Sequence, residues 1–305
     1  MGMPRGLARN ASASRWTREM DDTMPTQGPM AKVTMGPPRQ AGTSDSSLER
    51  MLGLLDLFTE DRPSWSVEEI CDHLSMSQAT GYRYLKLLSR TGLLAPAEGG
   101  CFSLGPRIVQ LDRQMRRTDP LLRHGVPVIE RARPELHGMF LLSRHYGDHV
   151  LCVHQDMTDP TLRTSMERGR PMELFRGAAP RVVLAFLPSY QLRTLMQRHP
   201  DRIRAAGLGA NWAEFRARLK AVRKEGICIA ISEVDEGMVG VAAPIFRAPG
   251  AVVGAISLAQ SEEQFRKEDP ARLRALAQRI AREVSDGFLH GAHQPPHLHP
   301  NGSPT

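Results

Sequence analysis

The chain has 305 residues and a formal net charge of +7, with 40 lysines and arginines against 33 aspartates and glutamates. Its hydrophobic fraction of 41% is enough to build real cores, and its length suits two folded domains. No apolar run approaches the roughly 20 residues of a membrane span, and no compact apolar stretch follows the N-terminal arginines. We therefore expect a cytoplasmic protein without a membrane partner or a secretory signal.

Residues 1–45 are rich in Pro, Gly, Ser, Thr and Met and show no helical or strand periodicity. Such a segment cannot bury enough apolar surface to offset its ordering entropy, so it is predicted to be a disordered tail. Residues 290–305 form a second predicted tail. The histidines in it are compatible with metal binding but are more typical of a flexible tail: His290, His293, His297 and His299.

The four cysteines are far apart and never in C-x-x-C spacing: Cys71, Cys101, Cys152 and Cys228. This pattern fits neither a disulfide framework nor a zinc site. We expect reduced thiols, and we expect neither a metal nor a cofactor.

The folded region opens with a pattern of three helices. Apolar residues repeat at three- and four-residue spacing over residues 47–59 and predict a first helix with a serine cap. Ser66 and Glu69 have the spacing of a capping box, which predicts the start of a second helix. After the turn S-M-S, a third helix is predicted over residues 77–90.

The third helix has two contrasting sides. At about 100° per residue, one side carries a packing stripe: Gly81, Tyr84, Leu85 and Leu88. The opposite side carries Arg83, Lys86 and Arg90. A recognition helix needs polar side chains for base edges and cations for phosphates. The residues predicted to contact DNA are Ser77, Gln78, Thr80, Tyr82, Arg83 and Lys86. Gly81 costs about 1 kcal/mol relative to alanine inside a helix, and it either loosens this helix or lets it approach its neighbour closely.

Two short apolar segments flank a Gly-Gly turn between Leu93 and Leu104 and predict a two-stranded wing. Helix, helix, turn, helix and wing together predict a winged helix-turn-helix domain over residues 46–105. The charge of this domain does not support the interpretation, because residues 48–104 carry eight acidic and five basic side chains. The support lies in the placement of the bases on one helix face.

Beyond the wing the pattern changes twice. Residues 106–137 are Arg-rich and predict a helical linker that is interrupted at Pro120, Pro127 and Pro134. Over residues 138–289, short apolar runs punctuated by Gly and Asp alternate with helical segments at 180–187, 190–198, 212–225 and 262–289. The expected fold class is α+β, with a mostly antiparallel sheet in the C-terminal domain.

The chain resembles the IclR family of bacterial transcriptional regulators over about residues 47–289. In the first half the resemblance rests on SLERMLGLLDLF, SMSQATGYRYLKLLSRTGLL and CFSLGPRIVQL. In the second half it rests on ERGRPMELFRGAAPRVVLAFLP, GICIAISEVDEGMVGVAAPIF and AVVGAISLA. The resemblance implies a GAF-like α/β effector-binding domain that senses a small, often carboxylate-bearing metabolite. It also implies homodimers that can pair into tetramers.

The resemblance also implies an effector cup, lined by Leu174, Gly177, Ala178, Ala230, Gly240, Ser257 and Ala259. Backbone N–H groups at the helix start Gly177-Ala178 suit an anion. Some acid-sensing members carry polar side chains at four of these positions, and this chain keeps only Ser257. The pocket is therefore expected to be more apolar, and to prefer an aromatic or larger hydrophobic acid over a two-carbon acid. Pro180 and Arg181 also depart from the family's usual helix-start motif.

Two other functions remain open. An enzyme could use Cys152 with His154, or Cys228 with Glu233, as nucleophile and base, but no oxyanion-hole motif, nucleophile elbow or ligand cluster accompanies them. The family resemblance implies instead that Glu233 fixes a loop by accepting backbone hydrogen bonds. An interaction module that no longer binds DNA is the second alternative, favoured by the acidic balance and by Gly81.

A dimer would place two recognition helices in successive major grooves of a near-palindromic operator in double-stranded DNA. Effector binding would then shift the placement of the two winged domains through the linker.

Overall fold

The computed structural model describes residues 46–147 and 149–291. The predicted tail 1–45 lies outside the described residues, as do His293, His297 and His299 of the second tail. None of the helices in the described ranges is both long enough and apolar enough to cross a membrane.

The N-terminal domain contains the predicted helices and wing. Its elements are α1 (Ser47–Gly53), α2 (Val67–His73), α3 (Gln78–Arg90), β1 (Leu94–Pro96) and β2 (Phe102–Leu104). Ser46 and Ser66 form capping boxes at the starts of α1 and α2, and Ser77 caps α3. These caps satisfy backbone N–H groups that a helix start leaves without partners. The strands β1 and β2 pair antiparallel.

The first helix is shorter than the predicted range 47–59. It ends at Gly53 and continues as a 3-10 turn over Leu54–Leu57, after which Phe58 is extended. A 3-10 turn places side chains three residues apart on the same side. Leu54 and Leu57 are therefore both buried in the core of the domain.

The predicted linker is divided into two helices, α4 (Pro106–Thr118) and α5 (Pro120–Ala132). Pro120 starts α5 behind the cap Asp119, as expected, whereas the predicted interruption at Pro127 is wrong because Pro127 lies inside α5. The apolar side of α5 is buried on both sides of that proline, and this packing offsets the lost backbone hydrogen bond. A 3-10 turn, Arg133–Glu135, contains Pro134 and follows the helix.

The C-terminal domain is built on a six-stranded sheet. Its strands are β3 (Met139–Tyr146), β4 (His149–Met157), β5 (Pro171–Met172), β6 (Cys228–Ile231), β7 (Met238–Ala248) and β8 (Ala251–Ser261). They lie in the order β5-β4-β3-β8-β7-β6, and every neighbouring pair is antiparallel. The sheet is thus antiparallel throughout.

The helices of this domain are α6 (Ala178–Phe186), α7 (Ser189–Arg198), α8 (Pro200–Ala205), α9 (Trp212–Glu225), α10 (Glu262–Lys267) and α11 (Pro270–Gly291). The single helix predicted over residues 262–289 is two helices. Glu268 is extended at the end of α10, and Pro270 lacks the N–H group needed to continue that helix.

Each face of the sheet has its own core. Helix α6 covers one face, packed on Ala230, Ala242, Ala255 and Ala259. Helices α5 and α11 cover the other face, so the second half of the predicted linker contributes to this core. The molecule has the predicted α+β fold class, with a winged helix-turn-helix domain ahead of an α/β domain.

Candidate functional site

Helix α3 presents the predicted basic side to solvent. Arg83, Lys86 and Arg90 are exposed, whereas the predicted packing stripe is buried: Gly81, Tyr84, Leu85 and Leu88. Within residues 46–147 and 149–291, these three cations make no ion pair. The Arg83 guanidinium lies 5.5 Å from the centroid of the Tyr84 ring. Cations that form no ion pair in the described part of the chain can neutralise phosphates.

The N-terminal end of α3 carries the remaining residues of the predicted DNA contact. Ser77, Gln78 and Tyr82 are exposed and Thr80 is half-buried. The Ser77 hydroxyl donates to Thr80 Oγ1 at 3.0 Å and accepts the Thr80 N–H. Gln78 and Tyr82 are therefore exposed in the first turns of the helix, while Ser77 and Thr80 also stabilise its start.

Close packing fixes α3 on α2. A Cβ atom added to Gly81 would lie 2.4 Å from Cys71 Sγ, so only glycine allows this approach. The Tyr84 hydroxyl also lies 2.8 Å from Ser47 Oγ at the start of α1. The close approach that the sequence suggested for Gly81 is thus observed.

The wing is anchored to the helices by Trp65. Trp65 N–H donates to the Phe102 carbonyl at 3.0 Å, and Phe102 N–H donates to the Trp65 carbonyl at 2.8 Å, which adds one bridge beside β2. The Trp65 indole N–H donates to the Leu57 carbonyl. These bonds fix the wing relative to the helices next to it.

The predicted effector residues of the sheet lie side by side. Ala230, Gly240 and Ala259 are direct partners across β6, β7 and β8. Ser257 lies one row away, between Ala242 and Leu141. All four face the core that α6 covers, and an ideal Cβ on Gly240 would lie 3.6 Å from Ala178 Cβ. The small side chains thus let the start of α6 approach the sheet, and we call this region the cup.

The helix start that was expected to bind an anion already holds a carboxylate. Gly177 N–H donates to Glu233 Oε2 at 3.0 Å, which confirms the expected hydrogen-bonding role of Glu233. Gly177 has a φ of 84°, a conformation that favours glycine. Pro180 in the first turn has no N–H group to offer. An effector anion at Gly177 would therefore compete with the chain's own carboxylate.

Arg181 is a partner of Glu233 that the sequence did not reveal. Its Nη1 lies 2.5 Å from Glu233 Oε1, and its other nitrogens donate to the Phe175 and Ala206 carbonyls. The two side chains are largely buried. The acidic run after β6 is visible in the sequence, but its partner lies 52 residues away and only folding pairs them.

Apolar and methionine side chains fill the cup. Leu174 is buried there, and several methionines contribute to the same cluster: Met139, Met157, Met166, Met172 and Met238. Ser257 is only 4% exposed, and its Oγ has no hydrogen-bond partner within the described part of the chain. The cup is therefore an apolar, adaptable site with one unused hydroxyl.

Two open concavities lie away from the cup. One, of about 660 Å³, is bordered by Arg204, Glu214 and Arg218, and another, of about 350 Å³, by Phe186, Phe246 and Leu289.

Of the residues considered for catalysis, Cys152 and His154 do not come together. An irregularity in the β3–β4 pairing places Cys152 opposite Ser143 and His154 opposite Leu142, so the two side chains point to opposite faces of the sheet. Burial raises the pKa of the Cys152 thiol and of the Cys228 thiol to about 12. A nucleophile needs the thiolate, which neither cysteine supplies near neutral pH.

Two family models match the chain, one for each half. The IclR helix-turn-helix domain matches residues 47–97, and the family described as bacterial transcriptional regulator IclR C-terminal matches residues 119–286. The Pca regulon regulatory protein of Pseudomonas putida is 24% identical over 251 residues, which cover 78% of this chain and 86% of that protein.

Solved structures have the same fold. The IclR transcriptional regulator from Alicyclobacillus acidocaldarius superimposes with a TM-score of 0.66 at 19% identity, covering 79% of this chain and 98% of its own. An IclR homolog from Microbacterium hydrocarbonoxydans, complexed with 4-hydroxybenzoate, gives a TM-score of 0.65 at 18% identity, with coverages of 80% and 100%.

Proposed function

Because the chain belongs to the IclR family of bacterial transcriptional regulators, we propose that it binds an operator in double-stranded DNA with an affinity set by a small organic acid. In this proposal residues 46–105 bind DNA, residues 106–137 connect the domains and residues 138–289 bind the effector. The protein acts in the cytoplasm, without a cofactor. The observation that carries the DNA-binding part is the exposed, unpaired basic side of α3 beside an anchored wing.

The DNA contacts divide by chemistry. Arg83 and Lys86 neutralise phosphates, whereas Gln78 and Tyr82 reach base edges from the N-terminal turn of α3. Ser77 and Thr80, at the start of α3, contact the DNA backbone. Two copies of this helix, in successive major grooves, read a near-palindromic operator.

A homodimer, able to pair into a tetramer, fits the exposed apolar side chains near the DNA-binding domain. Leu48 and Leu52 on α1 are more than half exposed, and so are Val109 and Met115 on α4. No residue of α4 is buried in the single chain. A second copy that covers these side chains removes apolar surface from water.

The effector part of the proposal rests on the cup. Its apolar lining and the unused Ser257 hydroxyl favour a hydrophobic acid whose carboxylate accepts a hydrogen bond from that hydroxyl. The complex of the Microbacterium hydrocarbonoxydans homolog with 4-hydroxybenzoate supports an aromatic acid as the first candidate. Leu174, Ala178, Ala230, Gly240 and Ala259 supply contact surface, and Gly177 shapes the helix start.

The deciding experiment is a mobility shift on the DNA upstream of the chain's own gene, at several salt concentrations. The wild type is expected to bind specifically, with an affinity that falls steeply as salt rises. The variant Arg83→Ala/Lys86→Ala should lose at least about tenfold in affinity and show a shallower salt slope. Unchanged affinity in that variant would show that α3 is not the recognition helix.

A matched variant controls for charge alone. Arg216→Ala/Lys220→Ala removes the same two charges from exposed positions on α9, in the other domain. It should bind the operator as the wild type does. Failure of the wild type itself to bind any fragment would favour the alternative of an interaction module.

A further inference from the structure

The loop between β4 and β5 packs against the cup and hydrogen-bonds to the loop that follows β6. We call residues 158–170, between β4 and β5, the covering loop, because Leu162 and Met166 pack into the cup cluster. On one side, Asp235 Oδ2 accepts the Thr164 hydroxyl at 2.6 Å and the Ser165 N–H at 2.9 Å. Asp235 lies two residues after Glu233, in the same loop that holds the start of α6.

The C-terminal end of the covering loop contacts strand β4 and helix α4. Arg168 Nε donates to the Val153 carbonyl on β4 at 3.0 Å, and its Nη2 donates to Asp112 Oδ1 on α4. Gly169 N–H donates to the Cys152 carbonyl at 2.8 Å. Arg168 therefore stands between the edge of the sheet and the helix that follows the wing.

Helix α4 itself has few other attachments to the C-terminal domain, although Asp119, the residue that follows it, pairs with Arg144 on β3. None of its residues is buried, and within residues 46–147 and 149–291 Asp112 is the one α4 side chain that hydrogen-bonds to that domain. The two partners are 39% and 35% exposed, so solvent screens the pair and it contributes little to stability. A weak contact at a sparsely attached helix can open and close readily.

We propose that the Asp112–Arg168 ion pair is the contact through which the covering loop controls α4. A ligand that enters the cup displaces Met166, strains the Asp235 hydrogen bonds and draws Arg168 away from Asp112. Helix α4 and the winged domain before it are then free to change position. The ligand biases this equilibrium only by its differential affinity for the paired and open arrangements. The effect on DNA, though not the pair itself, rests on the proposed function.

Hydrogen exchange of the full chain tests the pair without DNA or effector. Asp112→Lys should make the α4 amides exchange roughly two- to fivefold faster, the range expected for an exposed ion pair. The charge swap Asp112→Lys/Arg168→Glu should restore most of the protection. Unchanged exchange in α4 of Asp112→Lys overturns the proposal.

The coupling is tested by releasing the covering loop from its other end. Asp235→Ala removes the acceptor of Thr164 and Ser165, and it should accelerate exchange in α4 as well as in the loop. In the Asp112→Lys background the same change should add nothing in α4, because the connection is already broken. The inference would be refuted if the two substitutions accelerate exchange in α4 multiplicatively, or if Asp235→Ala leaves exchange in α4 unchanged.

A second ion pair provides the control. Glu225 and Arg274 are 35% and 37% exposed and join α9 to α11 within the C-terminal domain. Glu225→Lys makes the same charge change as Asp112→Lys and should leave α4 exchange unaltered. Since DNA is absent from these measurements, a failed operator-binding experiment would reject the proposed function and leave this inference standing.

Discussion

At the scale of single residues, the contact between Gly81 and Cys71 determines how closely α3 packs on α2. A methyl group at position 81 would have to displace a sulfur atom that is buried between the two helices. Alanine is nevertheless the better helix former by about 1 kcal/mol. The steric cost, not the helical propensity, should therefore decide the effect of a substitution.

We expect Gly81→Ala to destabilise the N-terminal domain by about 1–3 kcal/mol, the usual cost of overpacking a core. Cys71→Ala removes the obstructing sulfur, so the double variant should be more stable than the sum of the two single effects predicts. Urea unfolding followed by circular dichroism measures this difference. Additive single effects would show that the two side chains do not compete for space.

The capping serines were predictable because each cap depends on residues within one turn of the helix. The sequence also indicated which side of α3 is buried. It did not identify Cys71 as the neighbour of Gly81, because that contact joins two helices and depends on their packing.

At the scale of elements, the start of α6 is held by a largely buried ion pair. Glu233 accepts one backbone N–H group and one guanidinium, and Arg181 also satisfies two carbonyls. Breaking such a pair from one side leaves a buried charge, which costs more than removing both charges together.

Arg181→Ala should accordingly destabilise the C-terminal domain by about 3 kcal/mol. Arg181→Met/Glu233→Gln keeps similar volumes without charge and should recover most of that loss. Thermal unfolding compares the two variants, with Arg274→Ala as an exposed control expected to cost at most about 1 kcal/mol. A double variant as unstable as the single one would mean that the loss comes from the guanidinium hydrogen bonds to the Phe175 and Ala206 carbonyls, and not from the charge left on Glu233.

Most helices and strands of both domains followed from periodicity, but the short helix α8 and the short strand β5 were not predicted, and three boundaries differ. The 3-10 turn after Gly53, the intact helix at Pro127 and the break before Pro270 depend on which side chains reach a core. The cup residues of the sheet could be assigned only through the family resemblance, because cross-strand partners are far apart in sequence. Its filling by methionines and the Arg181–Glu233 pair required the packed structure.

At the scale of the whole molecule, helices α4 and α5 connect the winged helix-turn-helix domain to the sheet that carries the cup. The order of domains was readable from the sequence. The packing of α5 into the C-terminal core was not, and it leaves α4 as the exposed connection between the two domains. A signal that travels along the chain from the cup to DNA has to pass through this helix.

Linkage sets a quantitative condition on that signal. If an acid changes operator affinity by some factor, bound operator must change the affinity for the acid by the same factor. A compound that only binds the cup, without distinguishing the two arrangements of the chain, would stabilise the protein and leave DNA binding unaltered.

A thermal-shift panel of carboxylates should therefore rank 4-hydroxybenzoate and other aromatic acids above pyruvate and glyoxylate, because the cup is apolar and rich in methionine. At about one hundred times its dissociation constant, a ligand stabilises the native state by about 2.7 kcal/mol, which amounts to several degrees for a domain of this size. Ser257→Ala should reduce the shift, since it removes the one unused hydroxyl of the cup, whereas Ser89→Ala in the N-terminal domain should not. Stabilisation by the two-carbon and three-carbon acids alone would contradict both the apolar cup and the choice of effector.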